Sequence, residues 1–203
     1  IELFGASDRN REIATACAGF LLGVNPFDQP DVQAAKDQTK TLLEGLEKGR
    51  LPKETASFRA GGLAAHADEG LSLALGADKG SSLDLDKVLA AHFGRLQPGD
   101  YACILAFMDE DPEKTRLLEA LRANLRRKAK SPVTVSHGPR YLHSTGQLYK
   151  GGALTGLFLV LTEPEASAIP VPGERFGFGV LHGAQARGDF AAMRQGGRRV
   201  LRL

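Results

Sequence analysis

At 203 residues, with 42% hydrophobic side chains and a quarter charged, the chain is long enough for one substantial core or two small ones. A formal charge of +2 leaves no whole-chain field to hold nucleic acid or an anionic membrane, so any anion has to be bound locally. Cys17 and Cys103 are the two cysteines, each inside an apolar run and without metal-type spacing, which reads as reduced core thiols in a cytosolic protein rather than a disulfide framework.

The chain opens on Ile1-Glu2-Leu3-Phe4, without methionine and without the basic-then-hydrophobic layout of a secretion signal, and no later stretch reaches the roughly 18 uninterrupted apolar residues of a membrane span. We read it as a piece of something longer. From Arg11 to Leu22 the positions Ile13, Ala16, Cys17, Phe20 and Leu21 recur at helical spacing ahead of Gly23, predicting a buried helix. A turn-forming run, NPFDQP, follows, and Val32, Ala35, Thr39, Leu42, Leu43 and Leu46 predict a second helix that starts near Pro30 and ends near Gly49. Residues 51–86, with Gly61-Gly62, Gly70, Gly76 and Gly80, predict a long, locally ordered connection between a helical segment at 1–50 and an α/β domain at 87–203. In the latter, a helix over 86–93, a strand at YACILAFM (101–108), an amphipathic helix over 113–128 and strands at 133–135 and 156–162 come in order. A helix near 184–194 and a strand at 199–203 complete an alternating series, which implies an α/β fold with a mainly parallel sheet covered by helices.

Two segments hold more polar and glycine residues than packing requires. In Asn25 to Lys36, NPFDQPDVQAAK, a Pro-flanked turn presents Asp28 and Gln29, with Lys36 two turns further on; in Gly138 to Gly152, GPRYLHSTGQLYKGG, a loop carries His143, Ser144, Thr145, Gln147 and Lys150. Polar loops after parallel strands are where α/β folds place ligands. Each segment alone has an ordinary reading: a lysine on an amphipathic helix is usually a solvated cation, and a histidine without a visible carboxylate partner is usually bonded to nearby backbone.

Together the two segments resemble parts of one active site. The run from Glu12 to Lys36 looks like the glucose-6-phosphate isomerase signature, Phe-Asp-Gln followed by a small residue, Val, Glu or Gln, and then Lys; it departs at Asp31, where most of the family has glycine, placing a carboxylate that can depress or orient the charge of Lys36. LHSTGQLYKGG resembles the histidine loop of the bacterial isomerases. The lysine helix precedes the histidine loop, and this order, with the ending GDFAAMRQGGRRVLRL, is similar to the isomerase half of bifunctional transaldolase/glucose-6-phosphate isomerases. The resemblance covers nearly the whole chain, is weakest over 50–86, and implies sugar-isomerase (SIS)-like layers, incomplete here, with an N-terminal helical segment.

What the resemblance implies is an enzyme of glycolysis and gluconeogenesis, without metal or other cofactor, that interconverts glucose 6-phosphate and fructose 6-phosphate through an enediolate. In it His143 transfers the proton that opens the sugar ring, a task for a group titrating near neutral pH, and Lys36 steadies developing negative charge. Gln29, Ser144, Thr145 and Gln147 bind substrate, and Glu12 and Asp28 orient their neighbours. The family's carbon-proton base, a glutamate about twenty residues before the histidine loop, has no counterpart: Arg122 stands there, and Glu119 lies in an amphipathic helix. That base and the phosphate loop are expected in an N-terminal portion absent from this sequence, so the piece by itself is expected to be inactive or nearly so. The implied partners are the sugar phosphate, the remainder of the isomerase chain and a second copy in a homodimer. Two alternatives stay open: a sugar-phosphate-binding module without turnover, and a structural domain supporting an attached transaldolase. The basic stretch from Arg122 to Lys130 lacks interleaved aromatics and reads as a solvated helix face rather than a nucleic-acid patch, and His137, His143 and Cys103 match no compact zinc spacing.

Overall fold

The computed structural model describes residues 2–143, 145–164 and 169–203, with only the helical path described for residues 2–8. It divides into two units, residues 1–30 and 31–203.

In the first unit α1 (Glu2–Leu22) stops at Gly23, whose φ of +68° suits a residue without Cβ. The Val24 amide donates back to the Gly19 carbonyl at 2.9 Å. The end falls where the sequence places it, but the helix is not buried: Ile13, Leu21 and Leu22 are exposed, Phe20 is 86% exposed, and Cys17 is exposed instead of lying in a core. Helical spacing of apolar residues marks a face able to pack, and a unit of this size contains no second layer to pack it against.

The division falls within the first turn of α2 (Pro30–Glu44), which has proline at its first position and from Asp31 on belongs to the second unit, where it buries Val32 and Ala35. The helix ends one residue before Gly45, short of the expected Gly49. The stretch expected as a connection instead builds one side of the sheet: β1 (Phe58–Ala60), β2 (Leu63–Ala67), α3 (Glu69–Leu75), β3 (Ser82–Leu83) and the start of α4 (Leu85–Phe93). Gly61 and Gly62, at φ +55° and +85°, form the two-residue turn between β1 and β2. The Asp68 and Asp84 carboxylates accept from the Leu71 and Lys87 amides and cap α3 and α4. Strands of two to five residues are too short to show an alternation, so only the glycines between them were legible.

The remaining elements are β4 (Tyr101–Phe107), α5 (Pro112–Ala129), β5 (Val133–His137), a 3₁₀ turn (Arg140–His143), α6 (Gly146–Gly151), β6 (Gly156–Thr162), α7 (Phe178–Gln195) and β7 (Arg199–Arg202). The seven strands form one sheet in the order β3-β1-β2-β7-β6-β4-β5. Only β2 opposes the others, being antiparallel to both β1 and β7. The fold is α/β, an open, mainly parallel sheet between helices. Alternate residues of β4 divide the core: Cys103, Leu105 and Phe107 pack with Tyr141, Tyr149, Ala186, Phe190 and Met193 of the 3₁₀ turn, α6 and α7. Ala102, Ile104 and Ala106 pack on the other face with Leu118 of α5. Leu117, next to the buried Leu118 on α5, is exposed. Among the described residues no helix is long and apolar enough to cross a membrane.

Candidate functional site

The chain leaves β5 through the 3₁₀ turn into α6, and this segment is tied to α7 by charge. Asp189, on the face of α7 that also carries Ala186, Phe190 and Met193, accepts a hydrogen bond from the Tyr141 hydroxyl on one carboxylate oxygen. On the other it accepts from Lys150 Nζ at 2.6 Å. The Lys150 and Asp189 side chains are each 1% exposed. Burial, then the adjacent Asp189 carboxylate, raises the Tyr141 hydroxyl well above the usual phenol range, so it stays protonated as the donor. At the far end of α6 the buried Arg198 guanidinium donates to the carbonyls of Lys150, Ala153 and Gly152, the last two at 2.9 and 2.7 Å. Those are the orphan acceptors that a helix C-terminus leaves.

α6 also rests on α2. Gln147 Nε2 donates to Asp31 Oδ2 at 2.6 Å, and the Asp31 amide donates back to Gln147 Oε1 at 3.2 Å. Gly146 is buried where a Cβ would stand 3.3 Å from Lys150 Nζ and 3.5 Å from Val32 Cγ2. On α7, a Cβ at Gly188 would come 2.4 Å from Thr39 Oγ1 and 3.0 Å from the Ala35 carbonyl, so glycine is what lets α2 lie against α7. The segments bearing Lys36 and His143 therefore share one neighbourhood, α2 and α6 side by side on α7.

Within it, Lys36 is exposed on α2, one turn past Val32 and about 6 Å further along the axis. His143 is exposed at the end of the 3₁₀ turn, and Thr145 is half-buried, its hydroxyl donating to the Tyr141 carbonyl at 3.3 Å. Gln147 is engaged with Asp31. Among the described residues no hydrogen bond or ion pair joins Lys36 to His143. Ser144 lies outside the described residues. Glu12, Asp28 and Gln29 are exposed and belong to the first unit. Sequence reasoning missed Tyr141, Asp189 and Arg198. The legible sign was Asp189, an acid at helical spacing with Ala186, Phe190 and Met193, which a purely solvated residue would not be.

A cavity of about 520 Å³ opens at the carboxyl ends of β4 and β6. Here the sheet order switches direction, β5 lying to one side of β4 and β6 to the other, the place where open α/β sheets hold ligands. Asp109, Glu110, Arg140, Glu163 and His182 line it. Arg140 pairs with Glu110 at 2.5 Å, and His182 Nε2 lies 3.1 Å from the Gly138 carbonyl. Lys114 pairs with Glu163, and its hydrogen bond holds that carboxyl below the ordinary range. Among the described residues, none of those selected from the sequence lines this cavity, although Arg140 opens the turn that ends in His143. Among the described residues no group of three or more His, Cys, Asp or Glu is arranged to hold a metal ion.

No protein-family profile and no curated protein matches the sequence. Among solved structures, the chain is similar to a hypothetical protein from Thermus thermophilus, at 17% identity over 59% of this chain and 32% of that one, with a TM-score of 0.46. The chain thus spans about a third of the length of that protein.

Proposed function

We propose that the chain is part of a cytoplasmic aldose–ketose isomerase acting on glucose 6-phosphate and fructose 6-phosphate, with SIS-like layers, completed by further chain and working as a homodimer. In this reading the His143 imidazole moves the proton that opens the sugar ring, and the Lys36 ammonium stabilises charge at the ring oxygen and the enediolate. Thr145 and Gln147 bind substrate, and no metal is required.

One observation carries the reading. Two motifs that resemble separate parts of one isomerase site, 116 residues apart at Asp31 and Gln147, pack together through a reciprocal hydrogen-bonded pair. Lys36, on the helix that carries Asp31, and His143, in the turn before Gln147, are both exposed. Asp31, the departure from the family pattern, faces Gln147, so its carboxylate is engaged in joining the motifs.

The test is turnover by the full-length chain carrying this sequence. Lys36→Ala and His143→Ala are each expected to lower kcat for glucose 6-phosphate by about 100-fold or more with the fold retained; near-parental rates in both would remove the assignment. A binding module without turnover is favoured by one feature: Arg122, at the position of the family's glutamate base, is ion-paired with Glu119 at 2.6 Å on α5. Calorimetric binding of fructose 6-phosphate by a full-length chain without isomerase activity would select that reading.

A further inference from the structure

Within the histidine segment only His143 and its neighbours would touch substrate in the reading above, yet the charges that fix them are out of reach of solvent. We propose that Asp189 is a positioning residue: it clamps both ends of the histidine segment, Tyr141 two residues before His143 and Lys150 seven after it, and so sets where the imidazole stands. This rests on the proposed isomerase reading for its catalytic consequence, though not for its structural one.

Three features of the site point to it. Both carboxylate oxygens of Asp189 are used, one by the Tyr141 hydroxyl and one by Lys150 Nζ at 2.6 Å, so the residue spans the segment rather than capping a single group. Lys150 and Asp189 are each 1% exposed, and taking two charges out of water is costly even when they pair. For holding two elements together an apolar pair of similar volume would serve as well, so the retained charges need a reason beyond packing; directional, charge-assisted bonds, which fix an angle as well as a distance, supply one. The clamp is also the third of three restraints on α6. Arg198 holds the Lys150 carbonyl in its last turn and the Gly152 and Ala153 carbonyls just past it, and Gln147 is held by Asp31, while His143 itself is exposed. A segment tethered at three points next to one exposed imidazole is what preorganisation of a proton-transfer group requires, since misplacement by about 1 Å costs about 100-fold in rate.

A single change at Asp189 strands the buried ammonium of Lys150, so the informative variant exchanges the pair together. Lys150→Met/Asp189→Leu removes the clamp while leaving no unpaired buried charge, and it is expected to fold with a parental circular dichroism spectrum. In the full-length chain kcat should fall about 100-fold while KM changes less than about threefold. Because Asp189 acts through His143, adding the double change to His143→Ala should cost less than about threefold more. Parental kcat in the folded double variant, or equal losses with and without His143, would overturn the proposal. If the parental chain shows no isomerase turnover, the isomerase reading fails by itself. Amide exchange of residues 142–149 then decides the clamp: protection there should drop at least about tenfold in the double variant while β4 and β6 keep theirs, and unchanged protection would overturn it.

Discussion

Between Tyr141 and Gly152 most polar side chains are committed to partners elsewhere in the fold, whereas between Asn25 and Lys36 most point into solvent. In the former, Tyr141 and Lys150 converge on Asp189 and Gln147 is paired with Asp31; in the latter, Asn25, Asp28, Gln29 and Lys36 are all exposed. Both segments looked alike in composition, rich in turn formers and polar groups. The difference comes from what surrounds them. The histidine segment leaves a central parallel sheet and is covered by α7 and α2, so its polar groups had to find partners. The lysine segment begins in a unit without a second layer, and only from Asp31 onward does it belong to the packed part of the molecule.

The hardest blow to the clamped region is Asp189→Ala. It leaves the Lys150 ammonium buried and unpaired, and urea unfolding should show a loss of about 3–5 kcal/mol. A loss below about 1 kcal/mol would mean that the clamp holds nothing, and the contrast between the two regions would disappear.

Mild acid should act first on the packed unit, since the first thirty residues contain no histidine. His92 is 0% exposed, and burial, helped by the Arg95 charge, lowers its pKa to about 3. Its Nε2 lies 3.0 Å from the Phe158 carbonyl and its Nδ1 has no partner, so in the folded state it is a neutral ring donating through Nε2. His66 is lowered to about 4, by burial and then by Arg202. A histidine lowered on folding binds its proton more readily in the unfolded chain. Stability is therefore retained above pH about 6.5 and falls as pH drops from there toward 3, by up to about 1.4 kcal/mol per unit for His92. Over pH 7 to 5 that amounts to about 2 kcal/mol. His92→Gln, which keeps a donor for the Phe158 carbonyl, should lessen the slope of the urea-unfolding dependence across that range, leaving the part due to His66; an unchanged slope would assign the acid sensitivity elsewhere.

Asp31→Ala touches the seam between the two regions. It removes one half of the reciprocal pair with Gln147 and should cost about 1 kcal/mol, the ordinary net worth of a half-buried hydrogen bond. If turnover falls far more than stability does, the carboxylate acts on Lys36 as well as on Gln147.

The sheet's central strands were legible because both faces of β4 and β6 are buried and their runs are therefore continuously apolar; β6 begins and ends where the sequence places it. The hairpin of β1 and β2 was not, because a strand of three residues carries no period and its meaning lies in what it pairs with. The same holds at the site. His143 and Lys36 could be singled out from motif resemblance, but the clamp could not, since Tyr141 and Lys150 stand 48 and 39 residues from Asp189 and meet it only once α7 packs on the sheet.

Phe20 tests the open side of the comparison. At 86% exposure it buries little on folding of this chain, so Phe20→Ser should change the unfolding free energy of residues 1–203 by no more than about 0.5 kcal/mol, the usual range for a surface substitution. Ile13 and Leu21 are exposed as well, and helical spacing predicted them buried. A loss of about 2 kcal/mol or more in urea unfolding would mean that the apolar face of α1 is covered in solution, which is the value expected when a large aromatic or aliphatic side chain leaves a packed site. The contrast between an open first unit and a tied second one would then have to be given up, while the clamp at Asp189, which involves no residue before Tyr141, would stand unaltered.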